Sequence, residues 1–194
     1  ENSEVDHYKM QNKDAGSTVV TSLFIHQNDR SRATTHTLTF NSGVLRNDIY
    51  ADLQGSGCDT QLNGLYLVDR KQHIDNQVYV NHAKPDNTST QLYKGIIDDE
   101  ASAVFNGHIF VARDAQHTEA FQTNRNILLT DTARVTTKPF LEIYADDVKC
   151  SHGATVGQLD PDSMYYIRSR GICERNARML LMYAFAAEVI QKVS

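Results

Sequence analysis

Cysteine is scarce in this sequence, with only Cys58, Cys150 and Cys173 in a chain of 194 residues. Their number is odd, their spacing wide, and no Cys-x-x-Cys occurs. This excludes a disulfide scaffold and makes a reducing compartment the simpler expectation. No run of about 18 apolar residues exists, so no segment reads as a membrane-spanning helix. No basic block stands out: 24 Asp and Glu outnumber 19 Lys and Arg, for a formal net charge of −5. Nucleic acid is therefore a poor match as the main partner. The eight His are scattered, as in solvated loops. No Gly-x-x-x-x-Gly-Lys-Ser/Thr loop occurs, so any ATP hydrolysis must come from another chain. The opening Glu-Asn-Ser-Glu-Val-Asp has no initiator Met and no signal-peptide pattern, and the chain reads as part of a longer protein.

Short β-like runs fill the sequence from Thr18 to about Val156. They are Val19–Ile25, Thr37–Phe40, Ile49–Leu53, Leu65–Val68, Gln77–Val80 and Lys94–Ile97, then Ala103–Phe105, His108–Val111, Asn126–Leu129, Ala133–Thr136 and Leu141–Tyr144. Each is rich in β-branched or aromatic residues and bounded by Gly, Asn, Asp, Ser or Pro. They recur roughly every 10 to 15 residues, and none sustains a helical apolar period.

An antiparallel sandwich and a stacked solenoid both fit such spacing. The solenoid is favoured. Hairpin pairs occur only at Asn63-Gly64 and Asn106-Gly107, too few for a meander of this many strands. Asn, Asp, Thr and Ser crowd the intervals, where coil corners need residues that tolerate a left-handed backbone. The expected fold is mainly β: a right-handed parallel β-helix over residues 1–158, then a helical hairpin over 159–194. The last coil of such a stack has unpaired backbone groups that invite another chain, including a second copy of this one.

After Gly157 the texture changes. Asp160 suits an N-cap with Pro161 at the first helical position. A helix is predicted over Pro161–Arg170, stopped by a left-handed Gly171. A second is predicted from about Cys173 to Lys192, with an apolar seam of Ala177, Leu180, Leu181, Ala184, Phe185 and Val189. Cys173 is a poor cap and reads as tolerated. The hairpin fits either a cover for the solenoid end or a docking device.

At the join of the two textures lies Lys149-Cys-Ser-His-Gly153. In an extended segment Cys150 and His152 share one face, offering a thiol and an imidazole to a metal, sulfur or partner. Taken alone, Cys-x-His is weak evidence, and a buried cysteine beside a hydrogen-bonded histidine is the commoner arrangement. Asp146 and Asp147 are candidates to orient His152 or Lys149. His108, His117, Gln122 and Arg125 read as coil hydrogen-bonding residues. Cys58, in Gly55-Ser-Gly-Cys-Asp59, reads as structural.

The stretch Ala145-Asp-Asp-Val-Lys-Cys-Ser-His-Gly-Ala-Thr-Val-Gly-Gln-Leu-Asp160, with Tyr165-Tyr-Ile-Arg-Ser-Arg-Gly171 and Ala184-Phe-Ala-Ala-Glu188, resembles the SufB/SufD family of iron–sulfur cluster assembly proteins. The Lys-Cys-Ser-His-Gly form is similar to its SufD branch. Gln91-Leu-Tyr-Lys-Gly95 and Gln122-Thr-Asn-Arg-Asn-Ile-Leu-Leu129 resemble the family's β core. The resemblance implies a non-catalytic scaffold that pairs with a SufB-like paralogue through β-helix ends. It also implies that the C-terminal helices bind a SufC-type ABC ATPase, with Tyr166, Arg168, Arg170, Glu174 and Arg178 as expected contacts. Cys150 and His152 would then lie at the cluster-building site, where a nascent iron–sulfur cluster forms between subunits; both are known cluster donors. A cytoplasmic setting is implied. Two departures are that the family's N-terminal helical region is missing and that the family continues past Ser194. The alternative function is a β-helix that binds or cleaves polysaccharide, but no paired acidic constellation recurs at coil spacing. A self-assembling solenoid fragment is a third possibility.

Overall fold

The computed structural model describes residues 1–193. It contains β1 (Glu4–Asn12), β2 (Thr18–Gln27), β3 (Arg32–Asn41), β4 (Val44–Leu53), β5 (Asp59–Val68) and β6 (His73–His82). These are followed by β7 (Thr88–Ile97), β8 (Ser102–Val111), β9 (Glu119–Leu128), β10 (Arg134–Ile143) and β11 (Lys149–Gly157). Two helices close it, α1 (Pro161–Ser169) and α2 (Glu174–Ile190).

Odd strands form one sheet in the order β1-β3-β5-β7-β9-β11, and even strands a second in the order β10-β8-β6-β4-β2. Neighbours within each sheet are parallel. The chain therefore crosses from sheet to sheet at every corner, making a parallel β-solenoid of about five turns.

Alternation drives this arrangement. In β6 and β8 every second residue is buried without exception, as a strand with one wet face requires. Leu62, Tyr66, Ile74, Val80, Tyr93, Phe105 and Ile109 fill the space between the sheets, each at 1% exposure or less. Burying a side chain of this size contributes about 1.5–3 kcal/mol. Amides also run along the interior: Asn47 Nδ2 donates to Asn76 Oδ1 at 3.0 Å, one coil on. Corners turn through left-handed residues, including Asp86 and Asp99 but also Arg30, Arg70 and His117.

The strands are longer than the apolar runs suggest. Ala103–Phe105 and His108–Val111 are two halves of β8, and most of the runs Ala133–Thr136 and Leu141–Tyr144 lies in β10. Asn63-Gly64 and Asn106-Gly107 are not turns; they sit inside β5 and β8. Their glycines make room for neighbours, Gly64 for its register partner on the adjacent strand and Gly107 for a side chain from the opposite sheet. A Cβ on Gly64 would lie 2.3 Å from the Tyr93 ring, and one on Gly107 would lie 2.1 Å from Gln122 Nε2. β1 falls outside the predicted strand region, because its polar, exposed sequence hides the alternation.

The helices follow their caps. The Asp160 carboxylate accepts from Asp162 N–H and Ser163 N–H, and Pro161 opens α1. Gly171 adopts φ +86°. Cys173 caps α2 without a side-chain hydrogen bond. The buried stripe of α2 differs in phase from the expected seam. Ala177, Ala186 and Val189 are buried, whereas Leu180 and Ala184 are exposed, because the sheet meets α2 from the Ala186 side. Ala186 and Val189 pack on Leu65 and Leu92, on the outer face of the first sheet. Among the described residues no helix is long and apolar enough to cross a membrane.

Candidate functional site at the open end of the solenoid

Among the described residues β11 is the last strand of its sheet and pairs only with β9. In that pairing Cys150 stands beside Ala120 and His152 beside Gln122. Ala120 and Gln122 face the interior, at 0% and 1% exposure. Cys150 and His152 thus hold interior-facing positions on a coil that has no successor. The consequence is graded exposure. Cys150 is half-buried and packs against the core, while His152 is exposed. β10 shows the same pattern: Val135 and Leu141 are only part-buried, although Ala103 and Ile109, their register partners one coil back, are buried at 2% and 0% exposure.

Burial pushes the Cys150 thiol above its ordinary range, opposed in part by a hydrogen bond with the Ala120 backbone. The thiol therefore holds its proton until a metal ion or electropositive group displaces it. The pair cannot close a metal site by itself. Among the described residues no three His, Cys, Asp or Glu side chains are grouped to hold an ion, and a tetrahedral centre needs four donors.

The other expected polar residues are engaged elsewhere. Asp147 lies 3.3 Å from His117 Nε2, and its backbone N–H donates to Gln116 Oε1. Lys149 Nζ donates to Glu119 at 2.7 Å. Asp146 is exposed. His108 lies 3.2 Å from Glu142, and Arg125 lies 3.4 Å from Glu188. Cys58 is buried, with its thiol 3.3 Å from the Asn28 carbonyl.

On the helices, Arg168 lies 3.5 Å from Glu174. The Arg170 guanidinium stands 4.4 Å over the Tyr166 ring. Arg178 turns toward the solenoid and donates to the Leu129 carbonyl at 3.3 Å. Arg168, Arg170 and Glu174 are exposed, and the large apolar and aromatic residues beside them that face outward include Tyr165, Tyr166, Met179, Leu180 and Tyr183. Of these large residues only Tyr166 was expected. The available signal was Met179 and Tyr183, large residues one turn apart and outside the seam.

The family model described as SUF system FeS cluster assembly, SufBD core domain, matches residues 1–185. The chain is 43% identical over 159 residues to the iron–sulfur cluster assembly protein SufD of Escherichia coli K12, covering 82% of this chain and 38% of that protein. It is 36% identical over 193 residues to an iron–sulfur cluster assembly SufBD family protein of Synechocystis, covering 100% of this chain and 43% of that one. A SufBD family protein of Mycobacterium leprae is 36% identical over 166 residues, 81% of this chain and 42% of its own length. The chain therefore spans about two fifths of the length of these curated relatives. With a parallel solenoid, a terminal Cys-x-His strand and a family match over nearly its whole length, the chain belongs to the SufBD core family of the SUF system for iron–sulfur cluster assembly.

Proposed function

We propose that this chain is a scaffold subunit of a SufBCD-type complex, in which Cys150 and His152 help hold a nascent iron–sulfur cluster at the junction with a SufB-like paralogue. Placing those two donors on the interior face of the uncovered coil is the observation that carries the reading. Their neighbours Val135 and Leu141 are core positions left part-exposed, and a partner coil stacked on this end would bury them. The donors that two residues cannot supply would come from that partner. The cluster is cargo here, and its bridging sulfur and iron are substrates of the assembly.

The helical hairpin serves as the docking surface for a SufC-type ATPase in this reading. Tyr165, Tyr166, Met179, Leu180 and Tyr183 form its apolar part, and Arg168, Arg170 and Glu174 its charged part. Arg178 contributes by bracing α2 against the corner at Leu129.

Reconstitution of the full-length protein with its paralogue and ATPase tests this. His152→Ala and Cys150→Ala are expected to leave complex formation intact and to lower cluster yield under anaerobic conditions. Wild-type yield from the His152→Ala complex would remove the site assignment. Charge reversal at Arg168 or Arg170 is expected to weaken ATPase binding by calorimetry. Unchanged affinity would remove the docking assignment.

A further inference from the structure

Three side chains occupy one register position on consecutive strands of the first sheet: Gln91 on β7, Gln122 on β9 and His152 on β11. Leu62 precedes them on β5. Gln122 Nε2 donates to Gln91 Oε1 at 2.8 Å. In a parallel ladder an amide presents N–H to one neighbouring strand and C=O to the other. With its N–H directed to β7, the Gln122 carbonyl faces β11, where the residue in register is His152. That carbonyl oxygen is buried and has no hydrogen-bond partner among the described residues.

Leu62 neither donates nor accepts, so the ladder stops there, and Gln91 Nε2 is also unpartnered among the described residues. The Gln122-to-Gln91 hydrogen bond sets the polarity and leaves the unmet acceptor for the β11 side. On the opposite sheet, Gly107 omits a side chain where the amide crosses the interior: a Cβ there would lie 2.1 Å from Gln122 Nε2 and 2.7 Å from Cδ. Of the two carboxylates best placed by sequence to orient His152, Asp147 lies against His117 instead and Asp146 is exposed.

We propose that Gln122 is the positioning residue for His152. Its side-chain carbonyl accepts one imidazole N–H, which selects a single tautomer and leaves the lone pair of the other ring nitrogen directed out of the terminal coil. A buried carbonyl without a donor is costly, so the interaction satisfies the ladder as well as the ring. A ligating imidazole is commonly held in this way through its second nitrogen. This inference rests on His152 being a donor to the cluster, and its first test does not.

The test is nitrogen-15 NMR of the chain with labelled histidine at alkaline pH, where imidazole is neutral. The His152 resonances are assigned by their loss in His152→Ala. The wild type is expected to show one dominant tautomer. Gln122→Met should give a mixture, and Gln122→Glu, which keeps an acceptor, should restore the single form. Gly107→Ala keeps Gln122 but displaces its amide, and should give the mixture even where Gln122→Met folds poorly. A wild-type tautomer pattern in either Gln122→Met or Gly107→Ala overturns the proposal. In the reconstituted complex Gln122→Met is expected to lower cluster yield about 10–100-fold, with recovery in Gln122→Glu. If His152→Ala assembles clusters at the wild-type level, the functional reading falls, and the NMR pattern alone still decides what Gln122 does.

Discussion

The Lys94 ammonium on β7 lies 2.5 Å from the Glu188 carboxylate on α2 and donates to the Phe185 carbonyl at 2.8 Å. The Lys94 side chain is 5% exposed, and its ammonium also stands 4.5 Å from the Phe185 ring centroid. A helix expected to receive an ATPase is thus tied to the sheet through a buried charge. Glu188→Ala would leave that charge without its counter-ion. Half-exposure of Glu188 moderates the loss, so destabilisation of about 1–3 kcal/mol is expected. Chemical denaturation measures it, and no change would show that water replaces the carboxylate.

The same pair predicts an acid dependence. The Lys94 hydrogen bond, with smaller help from Arg125 and Lys192, holds the Glu188 carboxyl below its ordinary value of 4.5. The unfolded chain therefore takes up this proton first as pH falls. The contribution is fully present above about pH 4.5 and is lost as pH drops through the lower folded value. Glu188→Gln should flatten that part of the stability profile.

His82 gives a second, separate pH window. It is fully buried, with Nε2 2.8 Å from Ser89 Oγ, and burial pushes its pKa down from 6.5 to about 4. Protonation then favours the unfolded chain. Stability from the neutral ring is intact above pH 6.5 and falls between 6.5 and about 4, by roughly 3 kcal/mol at most. A His82→Gln variant whose profile kept the wild-type slope in this window would assign the slope to another group.

Gly95 lies where a Cβ would meet Tyr66 Cε2 at 2.2 Å and Asn126 Oδ1 at 2.4 Å. Tyr66 Oη donates to that same oxygen at 2.5 Å. Gly95→Ala should cost about 1–3 kcal/mol through overpacking and the strained hydrogen bond. A thermal midpoint equal to wild type would mean that the ring moves aside freely.

Tyr183 and Leu180 are exposed and have no place in the buried stripe of α2. Tyr183→Asp or Leu180→Asp is expected to alter stability by no more than about 0.5 kcal/mol while lowering ATPase affinity at least tenfold. Equal affinity would move the docking surface away from this face.

Much of the architecture was legible in the residues. Periodic β-branched runs without enough hairpin turns pointed to stacked coils, and Asp160, Pro161 and Gly171 marked the first helix, because capping chemistry is local. Phase was less legible. Leu180 and Ala184 fit the apolar step of α2, yet the choice of buried side depends on where the sheet lies. Asn106-Gly107 carried a turn signal, but its glycine answers to Gln122 from a strand 15 residues on.

The amino-acid order by itself determined the family, the solenoid and the pairing of Cys150 with His152 on one strand face, since alternation and motif depend only on neighbours along the chain. Tertiary structure decided that this face belongs to the interior of an uncovered coil, that Asp147 turns to His117, and that Gln122 stands beside His152. Those facts depend on coil register, which brings together residues 30 or 31 positions apart, and no local pattern specifies that offset to the single residue.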